Sequence, residues 1–416
     1  MIPALRAFRS KSFRIFYAGQ GLALLGNWIQ NVAMSWLVYR VTGSALLLGI
    51  TAGAQQLPVL FLSPIAGVWA DRVNRRRLLV VIQSLAFIQA LTLAVLTFAD
   101  AVRVPYVIGL ALLLGMITSF ETPTRQAFLL ELIEHREDLP NAIALQSMLF
   151  QSTRFVGPSV AGLMLAALGE AWCFLANALC YLAIIATYLA VRVKSREIPS
   201  TGVEWWRQLA SGITYAFGYT GTRRLLLLLM TLGLFTAPWQ SLMPIFAGET
   251  FGGDSRTFGF LIGAVGLGAV AGTFALAARS SVRGLGRVVA STSIAAGAAL
   301  IGFSLSGTLW LSLVFLAVFG AGLVVTAASI NTILQTLAEE DKRARIISLY
   351  VTCFLGFAPI GNFIAGALAE SIGVHRTLLI CGIVVAAAGS VFALRHKTWA
   401  QAVRPVYLKQ GIIRDR

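Results

Sequence analysis

Arg154 has the most chemistry to account for, because it stands in the middle of an apolar stretch. It lies about fifteen residues into a run beginning near residue 140, roughly 22 Å along a helix that rises 1.5 Å per residue. If that helix crosses a bilayer, the guanidinium sits near the centre, where it costs at least about 2.5 kcal/mol unless partnered. Amides at similar depth are available: Gln151 and Thr153 on the same helix, Asn27, Gln30 and Asn31 on one face of an earlier run, and Gln55 and Gln56 on the next. The chemistry open to such a set is reversible: ion pairing and hydrogen bonding to an anionic or oxygen-rich ligand. A purely structural arginine, satisfied by the same amides, is an equal reading. Further along, Phe235, Trp239, Gln240, Met243 and Asn362 combine aromatics with amides, as a large, partly apolar ligand would require. Helix packing alone accounts for Phe235 and Met243.

Covalent chemistry finds no purchase here. There is no Walker-type glycine loop, no zinc spacing and no Ser/His/Asp constellation on a soluble segment, so neither an enzyme nor a cofactor is expected. The cysteines Cys173, Cys180, Cys353 and Cys381 fall inside apolar runs. The histidines His135, His375 and His396 are scattered over loop positions, so no metal site is expected. The basic start (Arg6, Arg9, Lys11, Arg14) leads straight into a long apolar run, so no cleavable signal peptide is expected.

The elements that must position these groups are membrane helices. Hydrophobic residues make up 57% of the chain and charged residues 12%, about half the charge of a soluble domain. Twelve spans are expected near 14–39, 45–70, 77–99, 104–120, 140–166, 170–192, 224–247, 256–278, 286–304, 308–334, 345–369 and 375–394. The formal charge of +16 does not point to nucleic acid, since the basic residues recur in short clusters between apolar runs. With both termini inside, only Arg40, Arg103, Arg256 and Arg376 of the 33 Lys and Arg fall in outer connections, and Arg154 within a helix. That asymmetry sets the topology. Two halves follow, 1–192 and 224–395, joined by a linker at 193–223 and ending in a basic tail at 396–416. Trp205, Trp206, Leu209, Ile213, Tyr215 and Phe217 mark the linker as an amphipathic helix on the membrane surface, with a plain linker as the alternative. Gly157, Gly162 and Gly169 reappear at the same spacing as Gly361, Gly366 and Gly373, which suggests an internal repeat.

The stretch Gly67-Val68-Trp69-Ala70-Asp71-Arg72-Val73-Asn74-Arg75-Arg76-Arg77 is too polar for lipid and reads as a tight basic turn between two spans. Its spacing, Gly-x-x-x-Asp-Arg-x-x-Arg-Arg, resembles the loop between helices 2 and 3 of the major facilitator superfamily, with Asn74 where that family usually has Gly. Phe13 to Phe16, the Thr42-Gly43-Ser44 turn and the Arg154–Gly162 segment look most like the branch of the enterobactin exporter and macrolide efflux proteins. Thr153, Gly157, Pro158, Ala161 and Gly162 resemble the helix 5 signature of its antiporters, although close packing explains small residues there nearly as well.

The resemblance implies an all-α integral membrane protein: twelve transmembrane helices in two six-helix pseudo-symmetric halves, working by alternating access. In the family the loop aspartate contacts the start of helix 11, and a loop arginine pairs with an acid on helix 4. Carried over, Asp71 would cap a helix starting near Arg345–Ser348. Glu121, read as the end of helix 4, would pair with Arg72, making Gly67, Asp71, Arg72, Arg75, Arg76 and Glu121 a conformational latch. For Glu121 a solvated helix-end charge is the alternative. If protons drive transport, Asp71 or Glu121 is the expected carrier. The expected function is export of a siderophore- or drug-like compound across the bacterial inner membrane, with a small-molecule substrate, protons and membrane lipids as partners and a monomer as the unit. A lysophospholipid translocator of the same fold and a non-transporting receptor or scaffold are the alternatives.

Overall fold

The computed structural model describes residues 3–70, 73–133, 136–191, 218–279, 281–338 and 342–409. Twelve long helices run through these residues. The first six are α1 (Lys11–Thr42), α2 (Ala45–Ala70), α3 (Arg75–Phe98), α4 (Val104–Leu132), α5 (Leu139–Leu168) and α6 (Glu170–Ala190). Helix α7 is built from Thr220–Thr236, Pro238–Ile245 and a π turn, Phe246–Thr250. Next come α8 (Ser255–Ala277), α9 (Leu285–Leu305) and α10 (Leu309–Leu337). Helix α11 joins Arg343–Val351, a π turn Thr352–Gly356 and Ala358–Ile372, and α12 is Val374–Leu394. Ten of the twelve are long and apolar enough to cross a membrane by length and composition. The other two are α1, diluted by Gln20, Asn27, Gln30 and Asn31, and α5, whose apolar stretches Asn141–Phe150 and Val156–Leu168 flank Arg154. The linker at 193–223 lies outside the described residues up to residue 217.

One expected boundary was wrong. Helix 4 does not stop at residue 120 but continues through Pro123 to Leu132. A proline removes one backbone donor. In the same turn the Thr124 hydroxyl donates to the Phe120 carbonyl at 2.6 Å and supplies a bond of its own. Beyond the proline, Phe128, Leu129 and Leu132 are buried, so packing extends the helix.

The chain forms two compact units, Met1–Thr201 with Ala247–Gly263, and Gly202–Phe246 with Ala264–Arg416. In the first, α1 packs on α5 and α6, α3 on α4 and α6, and α2 on α4. In the second, α7 packs on α11 and α12, and α9 on α10 and α12. The internal repeat goes deeper than its glycines. Gly169 and Gly373 end α5 and α11 with φ of 85° and 88°, each donating its N–H back to the fourth residue before it. Likewise Gly115 of α4 sits against the Gln55 carbonyl of α2, and Gly320 of α10 against the Val265 carbonyl of α8, places where a Cβ would overlap backbone. Helix α7 bends at Pro238, which cannot donate to the Leu234 carbonyl, and α11 crosses that carbonyl at Gly361.

The basic stretch from 396 to 416 begins as a further helix, α13 (His396–Lys409). Trp399 is 3% exposed and donates from Nε1 to the Gly221 carbonyl at 3.0 Å. The Tyr219 hydroxyl donates to the Ala402 carbonyl at 2.5 Å, and Arg224 donates to the Thr398 hydroxyl at 2.7 Å. His396 lies against Trp399, with ring centroids 5.6 Å apart. Burial first, and then the Arg287 cation, hold His396 below its ordinary value of 6.5. Protonating it therefore opposes docking: the contribution is complete above pH 6.5 and is lost as pH falls below that value. Limited proteolysis should release α13 faster at about pH 5.5 than at about pH 7.5, and His396→Gln should flatten that difference. Trp399→Ala should expose α13 at both pH values, by a loss of about 3–5 kcal/mol.

Candidate functional site

The polar groups of the first unit divide into a sealed set and an open set. Gln30 of α1 is fully buried. Its Oε1 accepts from Asn177 Nδ2 of α6 at 2.8 Å, and its Nε2 donates to Gln89 Oε1 of α3 at 2.9 Å. Gln89 Nε2 then donates to the Leu110 carbonyl of α4 at 3.1 Å. One amide chain thus stitches four helices, and Gln30 has both ends engaged inside it. The open set is half-buried. Asn27 accepts from the Tyr181 hydroxyl at 2.5 Å, and Gln55 donates to Asn31 Oδ1 at 2.9 Å, while Gln56 is exposed on α2. Arg154 has helical backbone midway along α5, and Thr153 is buried with its hydroxyl bonded to the Leu149 carbonyl at 3.0 Å. The side chains of Arg154 and Gln151 lie outside the described residues.

The small residues of α5 serve close crossings. A Cβ on Gly157 would lie 2.6 Å from Trp28 Cβ of α1, and one on Gly162 would lie 2.6 Å from Gly259 Cα of α8. The Pro158 carbonyl faces Gly259 at the same crossing.

At the other end of the unit, charge replaces amides. Arg75, at the start of α3, pairs with Glu131 near the end of α4 at 2.5 Å, with side chains 5% and 12% exposed. Arg76 Nε donates to the Tyr188 carbonyl at 2.6 Å, and its Nη2 donates to the Leu189 carbonyl. These are among the last carbonyls of α6, where a cation also meets the negative end of the helix dipole. Asp71 and Arg72 lie outside the described residues, as does the surrounding of Gly67 on α2 and the side chain of Arg345. Glu121 needs correction. It lies well inside α4, not at its end, and its Oε1 accepts from Arg125 Nε one turn on at 2.6 Å. The acid near the end of α4 is Glu131, which the early stop at residue 120 concealed. The signal for it was present: Phe128, Leu129 and Leu132 continue an apolar face past Pro123.

In the second unit Asn362 is 2% exposed and accepts from the Ser241 hydroxyl at 3.0 Å. Trp239 is buried edge-on against Phe319, with centroids 5.9 Å apart, and the neighbouring Gln240 is half-buried.

Twelve helices in two related sets of six, the first set joined by a buried chain of amides, define a polytopic transporter of the major facilitator superfamily. The chain belongs to the family described as transmembrane secretion effector, which matches residues 2–404. It is 28% identical over 376 residues to the Staphyloferrin A transporter of Staphylococcus aureus, covering 89% of this chain and 92% of that one. It is 27% identical over 391 residues to the multidrug efflux pump Tap of Mycolicibacterium fortuitum, covering 91% and 95%. To macrolide efflux protein A of Streptococcus pyogenes it is 22% identical, covering 90% and 93%. Among solved structures, a bacterial homolog to the human lysosomal transporter Spinster has a TM-score of 0.74 at 13% identity, covering 97% of this chain and 99% of that one. The nucleoside transporter NupG has a TM-score of 0.71 at 14% identity, covering 93% and 99%. Those two likenesses concern the fold. The family and these relatives are transporters, not enzymes, and the protein is a multi-pass membrane transporter of a small molecule.

Buried and exposed acids of this unit should behave differently on truncation. Glu131→Ala leaves Arg75 without its carboxylate in a site of low exposure and should cost about 3–5 kcal/mol. Glu137, 83% exposed beside Arg6, should tolerate alanine with little change. Thermal unfolding of the two variants in detergent compares them directly.

Proposed function

We propose that this transporter exports a siderophore- or drug-like organic compound across the bacterial inner membrane by alternating access, coupled to protons, as a monomer with both termini in the cytoplasm. The single observation that carries the reading is the open polar set of the first unit. Asn27, Asn31 and Gln55 are half-buried and Gln56 is exposed on α1 and α2, while Arg154 stands midway along α5. Such groups at membrane depth are costly, and a protein that only packs helices has little use for them. The relatives, a staphyloferrin A transporter, a multidrug efflux pump and a macrolide efflux protein, support export of oxygen-rich or amphipathic molecules.

Roles follow from burial. Arg154, Gln151, Asn27, Asn31, Gln55 and Gln56 bind substrate in the first unit, and Trp239 with Gln240 provide the aromatic and amide wall of the second. Gln30 and Asn362 are fixed in buried hydrogen bonds, so we assign them to holding the walls in place. The turn containing Asp71 and Arg72 acts as the latch, anchored through Arg75 and Arg76. The positive-inside distribution of the arginines supports cytoplasmic termini.

The reading is tested by flux through proteoliposomes with two probes, a macrolide and a hydroxycarboxylate siderophore. Arg154→Ala should lower transport of a recognised probe by about tenfold or more, equivalent to about 1.4 kcal/mol of binding, and Arg154→Lys should retain part of it. Wild-type flux by Arg154→Gln would remove Arg154 from the substrate site.

A further inference from the structure

The tail helix α13 is held to the second unit by contacts that bring cations together. Its inner face is apolar: Trp399 and Val403, one turn apart, are 3% and 1% exposed. Its first turn, however, lands among arginines. Arg224 of α7 donates from Nη1 to the Arg395 carbonyl at 3.1 Å and to the Thr398 hydroxyl at 2.7 Å. From α9, a Cβ on Gly286 would lie 2.9 Å from His396 Nε2, so Arg287, the next residue, stands beside the same turn. Arg287 is in the first turn of α9, where the helix dipole itself disfavours a cation. Arg287, Arg395 and Lys397 are all exposed. Among the described residues of this unit the only acid is Glu370, which stands beyond the far end of α12, about 30 Å away at 1.5 Å per residue. The preference for basic residues on one side of a membrane accounts for each cation singly, in water. It gives no reason for a basic tail to fold back onto basic helix starts, where like charges repel.

We infer that the first turn of α13, together with Arg224 and Arg287, is a binding site for the headgroup phosphate of an anionic phospholipid, and that this lipid fastens the tail helix to the second unit. The position suits a lipid. Helix α12 is long and apolar enough to cross the membrane, and α13 starts directly after it, so the cluster lies where hydrocarbon gives way to headgroups. Leu394, the last residue of α12, is 85% exposed and gives an acyl chain an apolar surface next to the cations. A soluble anion would meet the charge but leave Leu394 uncovered. A phospholipid meets both, and basic sites at the ends of membrane helices suit its headgroup. The bound phosphate offsets the repulsion among Arg224, Arg287, Arg395 and Lys397, while Trp399 and Val403 supply the apolar part of the docking. The site is independent of the exported compound and of the coupling ion.

Hydrogen exchange of the full-length protein in nanodiscs tests this without a substrate. Backbone amides of α13 should exchange at least severalfold more slowly in an equal mixture of phosphatidylglycerol and phosphatidylcholine than in phosphatidylcholine alone. The double variant Arg287→Gln, Lys397→Gln should lose most of that difference. Arg376→Gln, an exposed arginine at the opposite end of α12, should keep it. Equal exchange of wild-type α13 in the two lipids, as expected if acids of the chain itself supplied the counter-charge, would overturn the inference. So would the same slowing produced by inorganic phosphate added to the phosphatidylcholine discs, which would make the ligand a free anion. A double variant that melts at the wild-type temperature and still responds to phosphatidylglycerol in full would place the lipid elsewhere and likewise sink the assignment.

Discussion

Lipid offers no hydrogen bonds, and the rest of the structure follows from that constraint. Each polar side chain carried into a span must find its partner inside the protein or face water in a cavity. The chain from Asn177 through Gln30 and Gln89 to the Leu110 carbonyl is the clearest response. Each amide offers donors and an acceptor, so a row of them links helix to helix with charge on none. Once linked, α1, α3, α4 and α6 have one register, because sliding any helix by a residue would leave several buried amides unpaired. The amides that remain half-buried, Asn27, Asn31 and Gln55, can then be held at fixed positions for a ligand.

Backbone obeys the same constraint and shows where the helices can bend. Pro238 leaves the Leu234 carbonyl of α7 without its usual donor, and α11 passes that point at a glycine. Helix α11 itself carries a π turn at Thr352–Gly356, and α7 ends in another at Phe246–Thr250. Such turns release one backbone bond each and are common where helices do work. Helix α4 shows the opposite outcome: Pro123 frees the Ser119 carbonyl, yet burial of Phe128, Leu129 and Leu132 carries the helix on past it.

Much of this was legible in the sequence, and the part that was not has definite causes. Spans show because a bilayer demands about twenty apolar residues, and the glycines at 169 and 373 show because only glycine readily accepts their positive φ. Side-chain partners are different. Gln30 reads as a cavity residue by its spacing with Asn27 and Asn31, yet a rotation of about 100° per residue turns it toward Gln89 and Asn177. Nothing in α1 alone says which neighbour each face meets. Glu131 was hidden by a boundary taken from Pro123, a local rule that packing of Phe128 and Leu132 overrode. Single amides such as Gln89 and Asn177 carried their own signal, since any amide within a span needs a partner, but no spacing rule groups residues from separate helices.

The two units solve the same topology by different means, and the difference bears on mechanism. In the second, close backbone approach does much of the tying: Gly320 on the Val265 carbonyl, Gly361 on the Leu234 carbonyl, and the hydroxyl pair Thr292 and Thr326 at 2.7 Å. Such contacts are neutral and short-ranged, and no change in protonation alters them. In the first unit charge joins the ties, at Arg75–Glu131 and Arg125–Glu121. An ion pair in a low-dielectric setting is worth much when complete and costs much when one member is neutralised, so it is a contact with two states. The first unit, where α4 carries an acid one turn from a base, therefore has contacts that depend on charge beside the backbone approaches it shares with the second.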